Sequence, residues 1–231
     1  PFLVRFHILT EEICYIDGIK QFNVRNVAGE WRVGGVCLYG DEMIFASPED
    51  NQFLFLNMDT LKSNVLSSNS KCNLGTQWIV PDGDDLWLMP MNGKTVTRWN
   101  PKKGETREYG DLPQGFKSIE WPYGLECENR PFGILAFSRE GEKEHIVLSP
   151  FWGNMYLSLD RDSGKMDEWK PPVLFKNHGK NGYFLAGGMG GFTMVYSHLG
   201  KAKHRIWYAP ERIVYVINID TKEYREITVW F

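Results

Sequence analysis

Side chains that could do chemistry are concentrated in two insertions, residues 110–130 and 170–190, and in four turns that contain proline. Aromatic rings there offer flat faces for sugar stacking, and carboxylate, amide and guanidinium groups supply directional hydrogen bonds. The same mixture is typical of protein interfaces. The alternative is a structural role, with Trp121 and Trp152 buried in the core. The candidate ligand-binding residues are Glu120, Trp121, Tyr123, Glu126, Phe175, His178, Tyr183, Trp152, Asn154 and Arg212.

Several glutamates of these insertions and turns could also provide the acid and the base or nucleophile of a glycosidase. That chemistry requires a defined separation between two carboxyl groups, which depends on the fold, so the catalytic residues stay unassigned. A Ser–His–Asp arrangement also stays open, although the sequence has no G-x-S-x-G segment.

Motifs for metals and cofactors are weak. The four cysteines are widely spaced without a C-x-x-C pair, which favours ordinary thiols over disulfides or zinc. "DRDSG" (Asp160 to Gly164) is similar to the start of a calcium loop, but its glycine comes one residue early and no glutamate occupies the twelfth position. "GGMGG" (Gly187 to Gly191) precedes a strand-like "FTMVYS" and not a helix, which favours close backbone packing over phosphate binding. No metal or cofactor is predicted.

An internal repeat indicates how these residues are positioned. Four apolar segments each run into a proline, which has no N–H for a sheet ladder and is expected to end the strand. A second strand follows, and then an Asp or Asn that is expected to cap a turn through its side chain. A more polar strand completes each unit. The prolines are Pro48, Pro90, Pro150 and Pro210, and the capping residues are Asp59, Asn100, Asp160 and Asp220.

A further strand precedes each of these segments, so each unit has four successive antiparallel strands, A to D, as in a propeller blade. We therefore predict an all-β propeller in one domain, either closed with five blades or part of a larger ring. Counted from the prolines, Phe45, Trp87, Val147 and Trp207 occupy one repeat position and should be buried between blades. The predicted blades are residues 1–33 (partial, with the hairpin "EEICYIDGIKQFNVRN"), 34–73, 74–110, 131–170 and 190–231.

At "PDGDDLWLMPMNGKTVTRWNPKKGETREY" the sequence resembles blades of the streptogramin (virginiamycin B) lyase-like propellers, and also kelch-like, WD40-like and PQQ-like repeats. The resemblance is best in Pro81 to Tyr109 and implies the fold. The lyases use histidines and a glutamate with a magnesium ion. The five histidines of this chain form no His-x-Glu-x-His cluster, so the lyase activity is not carried over.

Composition narrows the classes of partner. The formal net charge of −3, without a basic stripe, argues against nucleic acid. No apolar run is long enough to span a bilayer. The chain begins "PFLVRFHILTEE" without a visible signal peptide, and we expect it to be a trimmed piece of a longer product, so its localisation and oligomeric state stay open.

Propeller geometry brings the candidate residues together. D–A connections and B–C turns are expected on one face, so both insertions and the proline turns, with Glu49, Asp50 and Asn92, should share it. We predict a non-enzymatic binding module that recognises a glycan or a protein on this face. The alternative is an enzyme of lyase or glycoside-hydrolase type that uses carboxylates, with or without a divalent metal, at the channel mouth.

Overall fold

Every regular element that the structure describes is a β-strand. The computed structural model describes residues 3–16, 22, 33–71, 74–116, 132–140, 143–150, 155–170, 204–209, 213–218, 221 and 223–228. The strands are β1 (Leu3–Phe6), β2 (Ile13–Ile16), β3 (Val36–Tyr39), β4 (Glu42–Ala46), β5 (Gln52–Asn57), β6 (Ser63–Ser67), β7 (Leu74–Asp82), β8 (Asp85–Asn92), β9 (Val96–Asn100), β10 (Glu105–Tyr109), β11 (Phe132–Glu140), β12 (Lys143–Pro150), β13 (Tyr156–Asp160), β14 (Met166–Trp169), β15 (His204–Ala209), β16 (Ile213–Asn218) and β17 (Tyr224–Thr228).

The strands form consecutive antiparallel sheets, as the repeat predicts. Strands β3 to β6, β7 to β10 and β11 to β14 make three four-stranded sheets in chain order. Strands β15 to β17 make a three-stranded sheet, and its predicted strand A at 192–197 lies outside the described residues. The predicted pairing across each proline turn is confirmed in all four units. This is an all-β, propeller-like fold.

At the N-terminus, β2 pairs with the upstream strand β1, which the repeat did not predict. The second half of the predicted hairpin is described only at Phe22, which is buried. The chain divides into two compact units, Pro1–Met91 with Thr97–Glu108, and Asn92–Val96 with Tyr109–Phe231.

Two apolar seams hold the sheets of the first unit together. One lies between the first four-stranded sheet and the second, where Phe53 and Phe55 meet Trp99 at ring-centroid distances of 4.8 and 5.9 Å. The other lies between the β1–β2 hairpin and the first four-stranded sheet, where Ile16 packs with Leu54. Strands β4 and β5 are thus buried on both faces, which explains why their sequences are continuous apolar runs and not alternating ones.

The structure corrects the role of proline. Strand β8 continues past Pro90 to Asn92, and Pro150 is the last residue of β12. Pairing of β8 with β9 is described only as far as Leu88, so Pro90 lies beyond those rungs and its missing N–H removes none of them. Only Pro48 follows the end of its strand as predicted, and Pro210 lies outside the described residues.

The capping residue of the first sheet is also corrected. Asn57, and not Asp59, caps the turn after β5, because its side-chain oxygen accepts hydrogen bonds from the backbone N–H groups of Asp59 (3.2 Å) and Thr60 (2.8 Å). Asn100 and Asp160 do the same for Lys103 and Ser163.

The strand register gives the equivalent position in the last sheet. His204 pairs with Asn218 as His145 pairs with Asp160, so Asn218 takes the place that the sequence repeat gave to Asp220. Asp220 itself lies outside the described part of the chain.

The same register corrects one alignment of the sheets. Phe45, Trp87 and Val147 are buried as predicted, and the Trp207 side chain is outside the described part. The four residues are not equivalent, however. By cross-strand partner, Trp87, Ile44 and Val147 each pair with the residue two before the capping residue of their sheet. Phe45, Leu88, Leu148 and Trp207 each pair with the residue three before it. Because neighbouring residues of a strand point to opposite faces, a shift of one places Phe45 and Trp87 on opposite faces of their sheets.

Trp87 and Trp78 lie in adjacent strands of one sheet and provide a test of the packing. Trp87 has no exposed surface and Trp78 is 42% exposed. We expect Trp87→Ala to lower the free energy of unfolding by about 3–5 kcal/mol. The matched change Trp78→Ala should cost about 1–2 kcal/mol. Chemical denaturation of both variants measures this, and equal losses would contradict the described burial.

A second pair of variants tests the corrected cap. Asn57→Ala removes the acceptor for two backbone N–H groups and should cost about 1 kcal/mol. Asp59→Ala changes an exposed side chain and should be close to neutral. If thermal melting showed the opposite order, the counting from proline would be right and the described turn wrong.

Candidate functional site

The candidate site is the loop face, which we define as the end of the sheets that carries turn 47–51 (between β4 and β5) and connection 68–73 (between β6 and β7). The two segments touch. Ser68 N donates to Asn51 O at 3.1 Å, and Asn51 Nδ2 donates to Ser70 O at 2.7 Å. The prediction that B–C turns and D–A connections share a face is therefore confirmed for turn 47–51 and connection 68–73.

Turn 47–51 is held by its own side chains. Ser47 Oγ accepts from the backbone N–H groups of Glu49 at 3.4 Å and Asp50 at 3.3 Å. Asp50 Oδ1 accepts from Gln52 N at 2.9 Å. Ser and Asp favour turns because their short side chains satisfy backbone donors two or three residues ahead. The sequence Ser-Pro-Glu-Asp-Asn thus builds a fixed turn.

Backbone contacts beside β3 and β7, the first strands of the two sheets and here called their inner strands, also hold this turn in place. Gly35 N donates to Thr76 O at 2.9 Å, and Thr76 N donates to Ser47 O at 3.2 Å. A Cβ atom on Gly75 would lie 1.9 Å from the carbonyl oxygen of Pro48, and Gly75 has a φ of +78°. Only glycine can satisfy both conditions.

The outer strand β10 holds connection 68–73. Glu108 Oε1 accepts from Ser70 Oγ at 2.7 Å and from Lys71 N at 2.9 Å. Thr106 Oγ1 donates to Ser68 O. Sequence analysis predicted β10 only as the more polar strand that completes its unit, and no spacing in the sequence pairs Glu108 with Ser70.

The opposite face carries the A–B and C–D turns, as predicted. Met58 N donates to Asp41 O at 3.0 Å, and Tyr39 Oη donates to Asp84 O at 2.9 Å. The ammonium group of Lys102 lies 2.6 Å from Asp84 Oδ1. This hydrogen bond lowers the pKa of Asp84 and raises that of Lys102. Both side chains are exposed, so water screens the pair and it contributes little to stability.

A polar cluster in the second sheet was missed by sequence analysis. Asp85 accepts from Arg98 Nε at 2.8 Å and from Asn100 Nδ2 at 2.8 Å. Buried Trp87 donates from Nε1 to Asp82 Oδ2 at 3.3 Å, and the Arg98 guanidinium lies 5.7 Å from the Trp87 ring. These groups satisfy one another across β7 to β9, which indicates a structural role.

All ten residues predicted to bind a ligand lie outside the described residues, so the structure neither brings them together nor separates them. Of the other residues predicted for this face, Glu49 and Asp50 are described with their side chains, in turn 47–51. The start of the first insertion is also described. A Cβ atom on Gly110 would lie 3.1 Å from Thr95 Oγ1, so the insertion leaves β10 beside the turn between β8 and β9.

The described residues contain no group of three or more His, Cys, Asp or Glu side chains that could hold a metal ion. Burial raises the pKa of the Cys37 thiol to about 12, so it stays protonated at neutral pH. Within the described ranges, no helix has the length and apolar character needed to cross a membrane.

Comparison with known proteins gives a likeness of fold. No family model matches the chain, and no curated protein matches it in sequence. Virginiamycin B lyase from Staphylococcus aureus superimposes on all of this chain with a TM-score of 0.56 and 12% identity. The Cps50 (Swd1) β-propeller domain of Myceliophteria thermophila covers 86% of the chain with a TM-score of 0.50 and 14% identity.

The extracellular domain of a hybrid two-component system from B. thetaiotaomicron covers 98% of the chain with a TM-score of 0.54 and 9% identity. The chain spans 64%, 56% and 27% of the lengths of the lyase, the Cps50 domain and the two-component domain. These neighbours identify the chain as a β-propeller repeat protein. At these identities the likeness concerns the fold alone.

Two glycine variants test the close approach that supports the loop face. Gly75→Ala should lower the free energy of unfolding by about 2–4 kcal/mol, because a methyl group meets the Pro48 carbonyl in an unfavourable backbone conformation. Gly83→Ala is the control, since Gly83 has a φ of +62° but no atom within 4 Å of its added Cβ. It should cost about 1–2 kcal/mol. Equal losses in urea denaturation would show that backbone conformation alone, and not the contact, requires Gly75.

Proposed function

We propose that the chain is a non-enzymatic binding module that recognises a glycan or a protein through the loop face. The observation that supports this is the rigidity of turn 47–51, which is hydrogen-bonded to its own side chains and to connection 68–73. A rigid scaffold that presents polar groups and long loops is the usual arrangement of a binding surface.

Glu49 is the described side chain best suited to contact a ligand. It is half-buried on the fixed turn, and within the described part of the chain its carboxylate has no hydrogen-bond or ion-pair partner. Asp50, one residue on, is already engaged by the backbone N–H of Gln52. Because Glu49 is held at the turn but its charge is not used there, it can accept hydrogen bonds from ligand hydroxyl, amide or guanidinium groups.

The two insertions carry most of the other residues predicted to bind a ligand. The first insertion begins beside the turn between β8 and β9, at Gly110. It carries Glu120, Trp121, Tyr123 and Glu126, and the proposal places these residues on the face with that turn. The second insertion, with Phe175, His178 and Tyr183, would join them. Aromatic anchors surrounded by polar groups account for much of the energy of such interfaces.

The main prediction concerns Trp121. We expect Trp121→Ala to weaken ligand binding by about 1–3 kcal/mol and to leave the melting temperature nearly unchanged, as for an exposed aromatic anchor. The wild-type chain is first screened on a glycan array and against a displayed library of protein domains. Calorimetry with the strongest binder then gives the affinity of each variant. A large loss of stability without a specific loss of affinity would instead show that Trp121 is a core residue.

Glu49→Gln extends the same measurement to a described residue. It keeps the shape of the side chain but removes its charge, and it should weaken binding about tenfold, as loss of one charge-assisted hydrogen bond would. Asp59→Asn on the opposite face is the matched control and should bind as the wild type does. If both variants bind normally, the loop face defined by turn 47–51 is not the binding surface.

The enzymatic alternative is tested with the same protein. A lyase or glycoside hydrolase would turn over a ligand found in the screen, and Glu120→Gln with Glu126→Gln would abolish turnover without preventing binding. Product analysis by mass spectrometry decides between the two functions. If the wild type turns over the ligand and these two changes abolish that turnover, the enzymatic function replaces the proposed binding function.

A further inference from the structure

The β1–β2 hairpin has one covered face and one uncovered face. Leu3 and Ile16 point to the seam with the first four-stranded sheet, where Ile16 is buried. The opposite face carries two cross-strand pairs, Val4 with Tyr15 and Phe6 with Ile13. All four of these side chains are between 45% and 69% exposed. Soluble proteins seldom expose such a continuous apolar patch unless another surface covers it.

The inner strand of the neighbouring sheet is uncovered as well. Phe45 and Leu54, on β4 and β5, are buried in the seam with the hairpin. Val36 and Leu38, on the adjacent strand β3, are 49% and 60% exposed. Leu38 pairs with Met43, which does pack in that seam. The hairpin therefore covers β4 and β5 but leaves this face of β3, the inner strand, exposed.

The strand order indicates what is missing there. In each complete sheet the chain enters at the inner strand and runs outward, as from β3 to β6 and from β7 to β10. The inner strands β3 and β7 are also the ones that meet through Gly35 and Thr76. In the same order, the strand inside β1 would precede β1 in the sequence. Among the described residues, β1 pairs only with β2.

We propose that a strand of the same polypeptide, upstream of Leu3, pairs with β1 on the side away from β2 and covers Val36 and Leu38. This strand would extend the sheet that contains β1 and β2. Its own apolar face would continue the patch of Val4, Phe6, Ile13 and Tyr15 toward a further sheet. The proposal continues an established seam, because the hairpin already packs through Ile16 on the sheet that contains Leu38. The chain spans 64% of the length of the solved lyase, so a propeller of that length contains strands beyond those of this chain.

Site-specific crosslinking in the full gene product tests the source of this strand. A benzoylphenylalanine at position 38 reports its neighbours after illumination, and mass spectrometry identifies the captured peptide. Capture of a segment upstream of Leu3 is the expected result. Capture of residues 17–32, or of any later segment, would show that the chain covers this edge by another route. A product of doubled mass would identify a second copy as the occupant. Either of these results, or no crosslink at all, overturns the proposal.

A charge substitution and hydrogen exchange provide the independent readouts. In the full gene product Leu38→Lys should lower the melting temperature by about 4 °C or more, since it would bury a charge under the added strand. Ile8→Lys is the control, because Ile8 lies in the turn between β1 and β2 and is 81% exposed. Peptides covering β1 should exchange as slowly as those covering β2. Equal melting of both variants, or fast exchange confined to β1, contradicts the added strand.

Discussion

Direct backbone contact between the first and the second four-stranded sheets, beside strands β3 and β7, is the constraint on which the described architecture of the first unit depends. Gly35 donates to the Thr76 carbonyl, Thr76 donates to the Ser47 carbonyl, and Gly75 lies against Pro48. Gly34, Gly35 and Gly75 have no room for a side chain there. Further out, β5 and β9 are separated by the rings of Phe53, Phe55 and Trp99. Small residues inside and large ones outside give the seam a wedge shape, and repetition of wedges around an axis is the geometry of a propeller.

The same contact holds the loop face, the surface that the proposed function uses for binding. The backbone bonds that join the sheets include Ser47, the first residue of the turn that forms the loop face. The turn is therefore fixed by the core of the protein and not only by its own side chains. On the opposite face, Lys102 and Asp84 are joined through exposed side chains that water screens. A ligand on the loop face would find its partners already in position and would lose less entropy on binding.

The fold could be predicted from the sequence because every unit of the repeat needs the same kinds of residue in order to fold. Strand order, antiparallel pairing and the buried positions of Phe45, Trp87 and Val147 all follow from periodic apolar segments and turn residues. Register did not follow. The segment between β4 and β5 (47–51) and the one between β15 and β16 (210–212) differ in length. Counting from proline therefore misplaced the cap at Asp59, and in the last sheet the register places Asn218 where Asp220 was expected. Cross-strand pairing sets the register. The spacing of residues in the sequence predicts that register only when the equivalent loops have equal length.

The site was less predictable for a related reason. Capping residues such as Asn57, Asn100 and Asp160 are required by each unit to fold, so their type recurs and can be found by comparing units. Residues of the insertions recur in no other unit, and their positions depend on loops that no repeat constrains. At 12% identity, fold likeness to a lyase transfers no activity. Changes at Asn57 should therefore act on the stability of this chain. Under the proposed function, changes in 110–130 and 170–190 should act on ligand binding instead.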